Sequence, residues 1–330
     1  MSFADKLVLV TGAGGFIGSH LTERLLGEGA RVRALVRYNS RGQEGFLASL
    51  AAADRTRLEI VNGDLRELDS VQRAMDQVEV VLHLGALVGI PYSYLHTQEV
   101  IDTNIIGTAN VLIAAREQKS LARVVLTSTS EVYGTAQYVP IDEAHPLQAQ
   151  SPYAATKIAA DALGISFQRS FELPLTIVRP FNAYGPRQSM RAVIPTTIVQ
   201  ALTRDQVLLG TLTPTRDFTY VTDTVEGFMR AASMPSAIGQ TINVGSGHEI
   251  SIADLARLIV KLTGRDVPIV QDPKRLRPAS SEVERLYAGN KLAREVLGWQ
   301  PQVSLEQGLQ QTVDWIRGSL DLYRPDEYAV

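Results

Sequence analysis

The 330-residue chain contains no cysteine, which excludes disulfide bonds, thiolate metal sites and cysteine nucleophiles. Its five histidines are scattered and form no paired zinc-binding motif, so no metal site is expected. Basic residues are not in excess, because 32 lysines and arginines stand against 35 acidic residues and give a net charge of −3. Nucleic acids and anionic membranes both select basic surfaces, so neither is expected as a partner.

Long hydrophobic runs are also missing. No segment approaches the roughly 18 uninterrupted apolar residues that indicate a membrane-spanning helix. The N-terminal residues show no charged segment followed by a long apolar run, so no signal peptide is expected. These absences together predict a cytoplasmic protein.

What the chain does contain is an alternation of short apolar runs with longer helical patterns. The runs predicted as strands cover residues 6–11, 31–36, 58–62, 78–84, 123–128 and 175–179. Runs that are apolar throughout fit strands covered on both faces, and their alternation with helices indicates a parallel sheet. The sequence therefore predicts an α/β protein with a doubly wound, Rossmann-type parallel sheet.

The sequence changes character after Arg179, where prolines and glycines become frequent. An apolar run over residues 241–245 again has the character of a buried strand, so the chain is expected to leave the sheet near residue 181 and to return later. We predict a larger domain from residues 1–180 plus about 216–248. A smaller, interleaved C-terminal lobe is predicted from about 181–215 plus 249–330.

A glycine-rich segment follows the first predicted strand directly. Gly12, Gly15 and Gly18 have GxxGxxG spacing, and a helical pattern begins at once. The first glycine permits a tight turn, the second lets the backbone approach a pyrophosphate, and the third lets the helix pack on the strand. The helix N-terminus attracts the pyrophosphate charge. This combination predicts dinucleotide binding, with Phe16 and Ile17 in the same turn.

The end of the second predicted strand bears on the choice of cofactor. An acidic residue there would bind the ribose 2′-hydroxyl, but the sequence has Arg37, Asn39, Ser40 and Arg41. Two arginines could hold a 2′-phosphate, which favours NADP over NAD, while solvated loop arginines are the alternative interpretation. Further cofactor contacts are predicted at Asp64, Leu65, Leu84, Ala86, Asn104 and Thr127.

The fifth predicted strand runs into Thr129, Ser130 and Glu131, and Tyr153 and Lys157 follow in a helical segment. Residues four apart lie on one face of a helix. A lysine cation beside a tyrosine lowers the phenol pKa because it favours the phenolate. Such a tyrosine can accept a hydroxyl proton while a nicotinamide accepts the hydride. We therefore predict that these five residues are catalytic, with Tyr153 and Lys157 also contacting the cofactor.

A second Tyr-x-x-x-Lys pair, Tyr287 and Lys291, follows no strand end with hydroxyl residues. It lies far outside the expected sheet. We interpret this pair as a coincidence.

These motifs resemble the extended short-chain dehydrogenase/reductase family, in particular its nucleotide-sugar epimerase/dehydratase branch. The resemblance covers nearly the whole chain and includes RPFNAYGPR at 179–187 and TRDFTYV at 215–221. It implies that the smaller lobe binds a nucleotide sugar and that Thr129 lies beside the sugar O4. The substrate contacts it implies are Val88, Thr129, Glu131, Asn182, Ala192, Val193, Ile194, Arg216 and Arg277. Of these, Asn182 and the two arginines would hold the diphosphate, and residues 192–194 would lie along the base.

The resemblance implies that the sugar is first oxidised at C4, and the following step distinguishes the enzymes. A 4-epimerase needs no further acid or base, whereas a 4,6-dehydratase needs a base for the C5 proton and an acid for the C6 hydroxyl. Glu131 stands where a carboxylate could reach C5. Ser130 stands where thymidine-diphosphoglucose dehydratases carry an acid, so Glu131 or a water would protonate the leaving hydroxyl.

The Thr-Ser-Glu triplet resembles GDP-mannose 4,6-dehydratases and legionaminic- and bacillosamine-type dehydratases, but UDP-glucuronate decarboxylases share it. Residues 128–150 and 212–218 most resemble UDP-N-acetylglucosamine 4,6-dehydratases of legionaminic acid-type pathways, which is the expected activity. A 4-epimerase or a UDP-glucuronate decarboxylase is the alternative. A non-catalytic dinucleotide-binding protein is a more remote one.

A cofactor that is reduced and reoxidised in each cycle needs no external reductant. We therefore expect a tightly bound, recycled NADP or NAD. The resemblance also implies a homodimer, in which helices over 103–117 and 153–169 of two copies form a four-helix bundle.

Overall fold

A computed structural model of the chain describes residues 1–38 and 43–323. The predicted cofactor contacts Asn39, Ser40 and Arg41 lie outside the described residues. The strands within the described part are β1 Leu7–Thr11, β2 Arg31–Arg37, β3 Leu58–Gly63, β4 Val80–His83, β5 Arg123–Thr127, β6 Leu175–Pro180, β7 Asn182–Tyr184, β8 Val207–Leu209, β9 Thr215–Tyr220, β10 Thr241–Val244, β11 Glu249–Ser251 and β12 Ile269–Gln271.

The same residues form α-helices that alternate with the strands over most of the chain. They are α1 Phe16–Gly27, α2 Ala52–Arg55, α3 Leu68–Met75, α4 Ile90–Leu95, α5 Thr97–Ile101, α6 Gly107–Arg116, α7 Pro152–Phe171, α8 Val193–Thr203, α9 Val221–Ser233, α10 Ile252–Thr263, α11 Lys291–Leu297 and α12 Leu305–Arg317. A π-helical turn over Asp102–Ile106 joins α5 to α6. Within the described ranges, none of the helices combines the length and the hydrophobicity needed to span a bilayer.

Seven strands form the large sheet in the order β10-β6-β5-β4-β1-β2-β3, and every neighbouring pair is parallel. The predicted doubly wound parallel sheet is thereby confirmed. The chain reverses its direction of progress across the sheet between β1 and β4. In folds of this type the ligand binds at this switch point, beyond the carboxyl ends of the strands.

Both faces of this sheet are covered, as the unbroken apolar runs indicate. Val8 and Val10 of β1 belong to one buried cluster, which includes residues of α1 and α9. Leu7 and Leu9 of the same strand belong to a second buried cluster, which includes residues of α3 and α6. Alternate side chains of one strand thus face opposite helical layers, which is why the run has no polar alternation.

Two further sheets lie outside the large one, a three-stranded sheet, β11-β9-β7, and a two-stranded sheet, β12-β8. Strand β10 pairs with β6 in the large sheet. The chain thus returns to this sheet through the apolar run over residues 241–245, as predicted. Residues 216–220, which the sequence assigned to the larger domain, belong to β9 and therefore pair within the smaller sheet. Helix α9 is the first element that packs again on the large sheet. The division into two domains otherwise stays a prediction.

Candidate active site

A cleft of about 1180 Å³ opens beyond the carboxyl ends of the central strands. Apart from Asn104 and Lys157, every described residue that the sequence assigned to the site lines this cleft. These lining residues are Gly12, Gly15, Phe16, Ile17, Gly18, Arg37, Asp64, Leu65, Leu84, Ala86, Val88, Thr127, Thr129, Ser130, Glu131, Tyr153, Asn182, Ala192, Val193, Ile194, Arg216 and Arg277. Asn104 and Lys157 are buried, at 1% and 4% exposure. The fold thus brings the predicted residues together, while their individual roles stay predictions.

The glycine loop forms one end of the cleft. Gly12 has a φ of +70°, and a Cβ built on it would lie 2.9 Å from Gly85 Cα. A Cβ on Gly18 would lie 2.1 Å from the Gly12 carbonyl oxygen. Helix α1 begins at Phe16 with no side-chain cap at Gly15. Free backbone N–H groups at a helix N-terminus bind anions, so this loop fits the pyrophosphate of a dinucleotide.

The next part of the cleft, at the end of β2, is both basic and acidic. Arg37 Nη1 lies 3.4 Å from Glu99 Oε1, and Arg37 Nε lies 3.9 Å from Asp64 Oδ2. The side chain of Arg66 donates to both Asp64 oxygens, and this hydrogen bonding lowers the pKa of Asp64. Sequence reasoning missed Glu99 because it lies on α5, remote from β2 in the chain. Arg37 is therefore a cation with two acidic neighbours.

Helix α7 presents Tyr153 and Lys157 on one face. Ser151 caps the helix, since its Oγ accepts from the Ala154 N–H at 3.1 Å, and Pro152 occupies the first turn. Burial raises the pKa of Tyr153 and outweighs its hydrogen bond with Thr129, which lowers it. The expected lowering of the phenol pKa is therefore wrong for the protein alone, because desolvation of the phenolate dominates.

Lys157 lies directly behind the cleft. Its Nζ donates to the Thr127 carbonyl oxygen, and burial lowers its pKa to about 8. Burial, reinforced by the Lys157 charge, lowers the pKa of His83 to about 3, so this imidazole is neutral. Asn104 contacts α7 next to Lys157, because its Nδ2 donates to Thr156 Oγ1 at 3.0 Å. A direct cofactor contact by Asn104 stays a prediction.

Residues 129–131 form the middle of the cleft. Thr129 begins a 3₁₀-helix over Ser130–Tyr133 and accepts from the Glu131 N–H through Oγ1 at 3.2 Å. Ser130 is almost fully buried, at 2% exposure. The Glu131 carboxylate influences the pKa of both Tyr153 and Arg216. Glu131 is thus a carboxylate in the cleft whose charge acts on Tyr153 on one side and on Arg216 on the other.

Two arginines meet at the other end of the cleft. Arg216 Nη2 lies 3.2 Å and Arg277 Nη1 3.5 Å from the same Glu282 oxygen, Oε1. Glu282 was missed because it lies in an irregular segment, whose side-chain directions no periodic pattern reveals. Paired guanidinium groups are well suited to bind a diphosphate. Convergence on one carboxylate shows that both arginines reach a common point.

Comparison with known proteins shows the family of the chain. The sequence profile described as GDP-mannose 4,6 dehydratase matches residues 9–312. The chain belongs to this family. It is thereby an extended short-chain dehydrogenase/reductase, of the group of NAD-dependent nucleotide-sugar dehydratases, epimerases and decarboxylases.

Relatives of this family member catalyse different reactions. It is 35% identical to a UDP-glucose 4-epimerase of Mycolicibacterium smegmatis, over 94% of this chain and 98% of that protein. It is 34% identical to a UDP-N-acetyl-alpha-D-glucosaminuronate decarboxylase of Bacillus cytotoxicus, over the same shares of the two chains. The NAD-bound crystal structure of a dTDP-glucose 4,6-dehydratase from Streptomyces venezuelae is similar at a TM-score of 0.87 and 29% identity, covering 97% and 99% of the two chains. Membership of the family alone therefore leaves all three reaction classes open.

Proposed function

We propose that this protein is a nucleotide-sugar 4,6-dehydratase whose substrate is UDP-N-acetylglucosamine. The observation that carries the proposal is the position of Glu131, a carboxylate lining the cleft beside Tyr153. An epimerase has no need of such a group, since inversion at C4 requires only removal and return of hydride. A dehydratase needs one to move the C5 proton.

Tyr153 acts as the phenolate in this proposal, takes the proton from the sugar O4 and becomes the neutral phenol, and the buried Lys157 ammonium stabilises the phenolate before the transfer. Thr129 is hydrogen-bonded to Tyr153, and in this proposal the Thr129 hydroxyl lies between the phenol and the sugar O4. A nicotinamide cofactor, when bound, would supply the hydride acceptor for C4 and the hydride donor for C6. The glycine loop and Asp64 would hold the cofactor across the switch point.

Glu131 performs the elimination. The ketone at C4 acidifies the C5 proton, Glu131 accepts it, and the C6 hydroxyl departs as water with a proton from Glu131 or from a water near Ser130. Return of hydride to C6 and protonation of C5 complete the reaction, and the proton that Tyr153 took from O4 balances the proton that C5 regains. One water is lost and the cofactor ends in its starting oxidation state, so the balance needs no external reductant.

Product masses test this proposal. The purified protein is incubated with UDP-N-acetylglucosamine, GDP-mannose and UDP-glucuronate. Loss of water from the first supports the proposal, and loss from GDP-mannose keeps the reaction but changes the substrate. Loss of carbon dioxide from UDP-glucuronate would make the protein a decarboxylase, and a new isomer of unchanged mass an epimerase. Steady accumulation of reduced cofactor would indicate a simple dehydrogenase instead.

The form of the cofactor is a further part of the proposal, with NADP favoured through Arg37. Arg37→Ala is expected to weaken NADP⁺ binding about tenfold, or about 1.4 kcal/mol, and to change NAD⁺ binding little, because only the 2′-phosphate uses this charge. Glu99→Gln is the matched variant. It removes one of the two acidic neighbours of Arg37 and should strengthen NADP⁺ binding. Calorimetric titration of both cofactors measures the ratio, and equal losses for both in Arg37→Ala would contradict the NADP preference.

We also propose that two copies pair through α6 and α7. These helices pack side by side, and nearby Ile106 and Phe171 are large apolar side chains that are each 47% exposed. Ile106 directly precedes α6 and Phe171 lies beside Arg116 at its other end, so the two side chains mark the ends of the face that is proposed to meet the second copy. Ile106→Asp is expected to shift the solution mass from dimer to monomer in sedimentation experiments. A monomeric wild-type protein would contradict the proposal.

A further inference from the structure

A chain of buried polar groups lies beneath the catalytic helix. Asp161 Oδ2 accepts from Ser128 Oγ at 2.8 Å and from Arg179 Nε and Nη2 at 3.0 and 2.9 Å. Arg179 Nη1 donates to the Tyr133 hydroxyl at 2.9 Å, which in turn donates to Asn243 Oδ1 at 2.7 Å. All five residues are at most 4% exposed. The mechanism proposed above gives none of these groups a role.

The position of Asp161 connects this chain to the proton-transfer pair. Tyr153, Lys157 and Asp161 are spaced four residues apart in α7 and so follow one face of the helix. The neighbour of Ser128 in the chain is Thr127, whose carbonyl oxygen accepts from Lys157 Nζ. Successive residues at the end of β5 therefore bind the lysine and the aspartate. These two attachments fix α7 against the sheet.

Other elements also contribute charged and titratable groups near Lys157. His83 of β4 is neutral, Glu131 follows β5, and Arg179 belongs to β6 on the far side of Asp161. Burial lowers the pKa of Lys157, and the Asp161 carboxylate opposes this effect. Among the residues that the structure describes, Asp161 is thus the charge that favours the ammonium form.

We propose that Asp161, held by Ser128 and Arg179, is a positioning residue that keeps Lys157 protonated and fixes α7 for proton transfer. This inference rests on the proposed function only for the use of the pair in catalysis. The effect of Asp161 on the protonation of Lys157 does not depend on the reaction and can be measured in the protein without substrate. Asp161 has three hydrogen-bond donors, two of them from the Arg179 guanidinium, and these contacts oppose the rise in its pKa that burial causes.

Two variants of the buried pair test the proposal. Asp161→Asn keeps the shape of the side chain but removes its negative charge, so the pKa of Lys157 falls. Arg179→Gln removes the guanidinium that opposes the rise in the pKa of Asp161, so the carboxyl loses charge and the pKa of Lys157 falls in this variant as well. A neighbouring charge moves a buried group by about one pH unit or more. We expect a downward shift of that size in Asp161→Asn and a downward shift in Arg179→Gln.

The readout is the Lys157 side chain, observed by NMR in protein with isotope-labelled lysine. The chain has only six lysines, and Lys157→Met assigns the resonance. The pH profile of cofactor reduction by the sugar is recorded in parallel and should move with the titration. Circular dichroism shows whether each variant is folded.

Unchanged titration of Lys157 in folded Asp161→Asn, or an upward shift in that variant, would overturn the proposal. Should Asp161→Asn not fold, the double variant Asp161→Asn/Arg179→Gln replaces it, because loss of both partners of a buried pair is tolerated better than loss of one. Its Lys157 titration is expected between those of Asp161→Asn and wild type. A lowered Lys157 pKa in Asp161→Asn, in a protein that converts none of the three nucleotide sugars, would support this inference and refute the proposed function.

Discussion

Tyr153→Phe is expected to lower the rate of cofactor reduction by nucleotide sugar about a thousandfold, within the 10²–10⁴ range typical of a positioned acid or base. The phenol is the group placed to accept the O4 proton, and phenylalanine fills the same buried space without it. Stopped-flow absorbance of the nicotinamide measures the step directly. The variant should bind UDP with wild-type affinity, because the arginine end does not change, and should still bind the cofactor through the unchanged glycine loop.

The chain contains a matched control for this substitution. Tyr287 and Lys291 have the same spacing as Tyr153 and Lys157, but neither lines the cleft. The Lys291 side chain is 87% exposed and lies 3.8 Å from Glu295, so no desolvated proton-transfer pair exists there. Tyr287→Phe should therefore leave the rate unchanged. A Tyr153→Phe variant that reduces its cofactor as fast as Tyr287→Phe would remove the phenol from the mechanism.

The parts of the site that the sequence predicted are those encoded by neighbouring residues. The glycine loop is recognisable because a strand, a turn and a helix follow one another within residues 7–27. Tyr153 and Lys157 are recognisable because helical periodicity puts residues four apart on one face. Local geometry of this kind survives in almost any tertiary context, so these residues reach the cleft as expected.

The parts that were missed depend on tertiary structure. Glu99 reaches Arg37 across 62 residues, and Glu282 reaches Arg216 across 66. The pKa of Tyr153 was predicted with the wrong sign because spacing reveals a neighbouring cation but not the depth of burial. The reaction class is hidden for a related reason. Dehydratases, epimerases and decarboxylases share the dinucleotide and proton-transfer groups, and their chemistry differs at a few cleft residues.

Glu131→Gln is expected to separate the two halves of the proposed reaction. Oxidation at C4 requires Tyr153 and Lys157 and should continue, whereas the C5 proton loses its acceptor. Loss of a general base lowers a step by about 10²–10⁴-fold, so reduced cofactor and a 4-keto sugar should accumulate in place of the dehydrated product. Nicotinamide absorbance and product mass, recorded on one sample, measure both halves.

Glu282→Gln distinguishes loss of a proton acceptor from loss of negative charge near Arg216. Both carboxylates act on that guanidinium, but Glu282 lies between the two arginines at the diphosphate end. This variant should change substrate KM and leave the balance between cofactor reduction and water loss as in wild type. If Glu131→Gln instead behaves like Glu282→Gln and still releases water, Glu131 is only a binding residue. The elimination then requires another base, and the case for a dehydratase loses the observation that carries it.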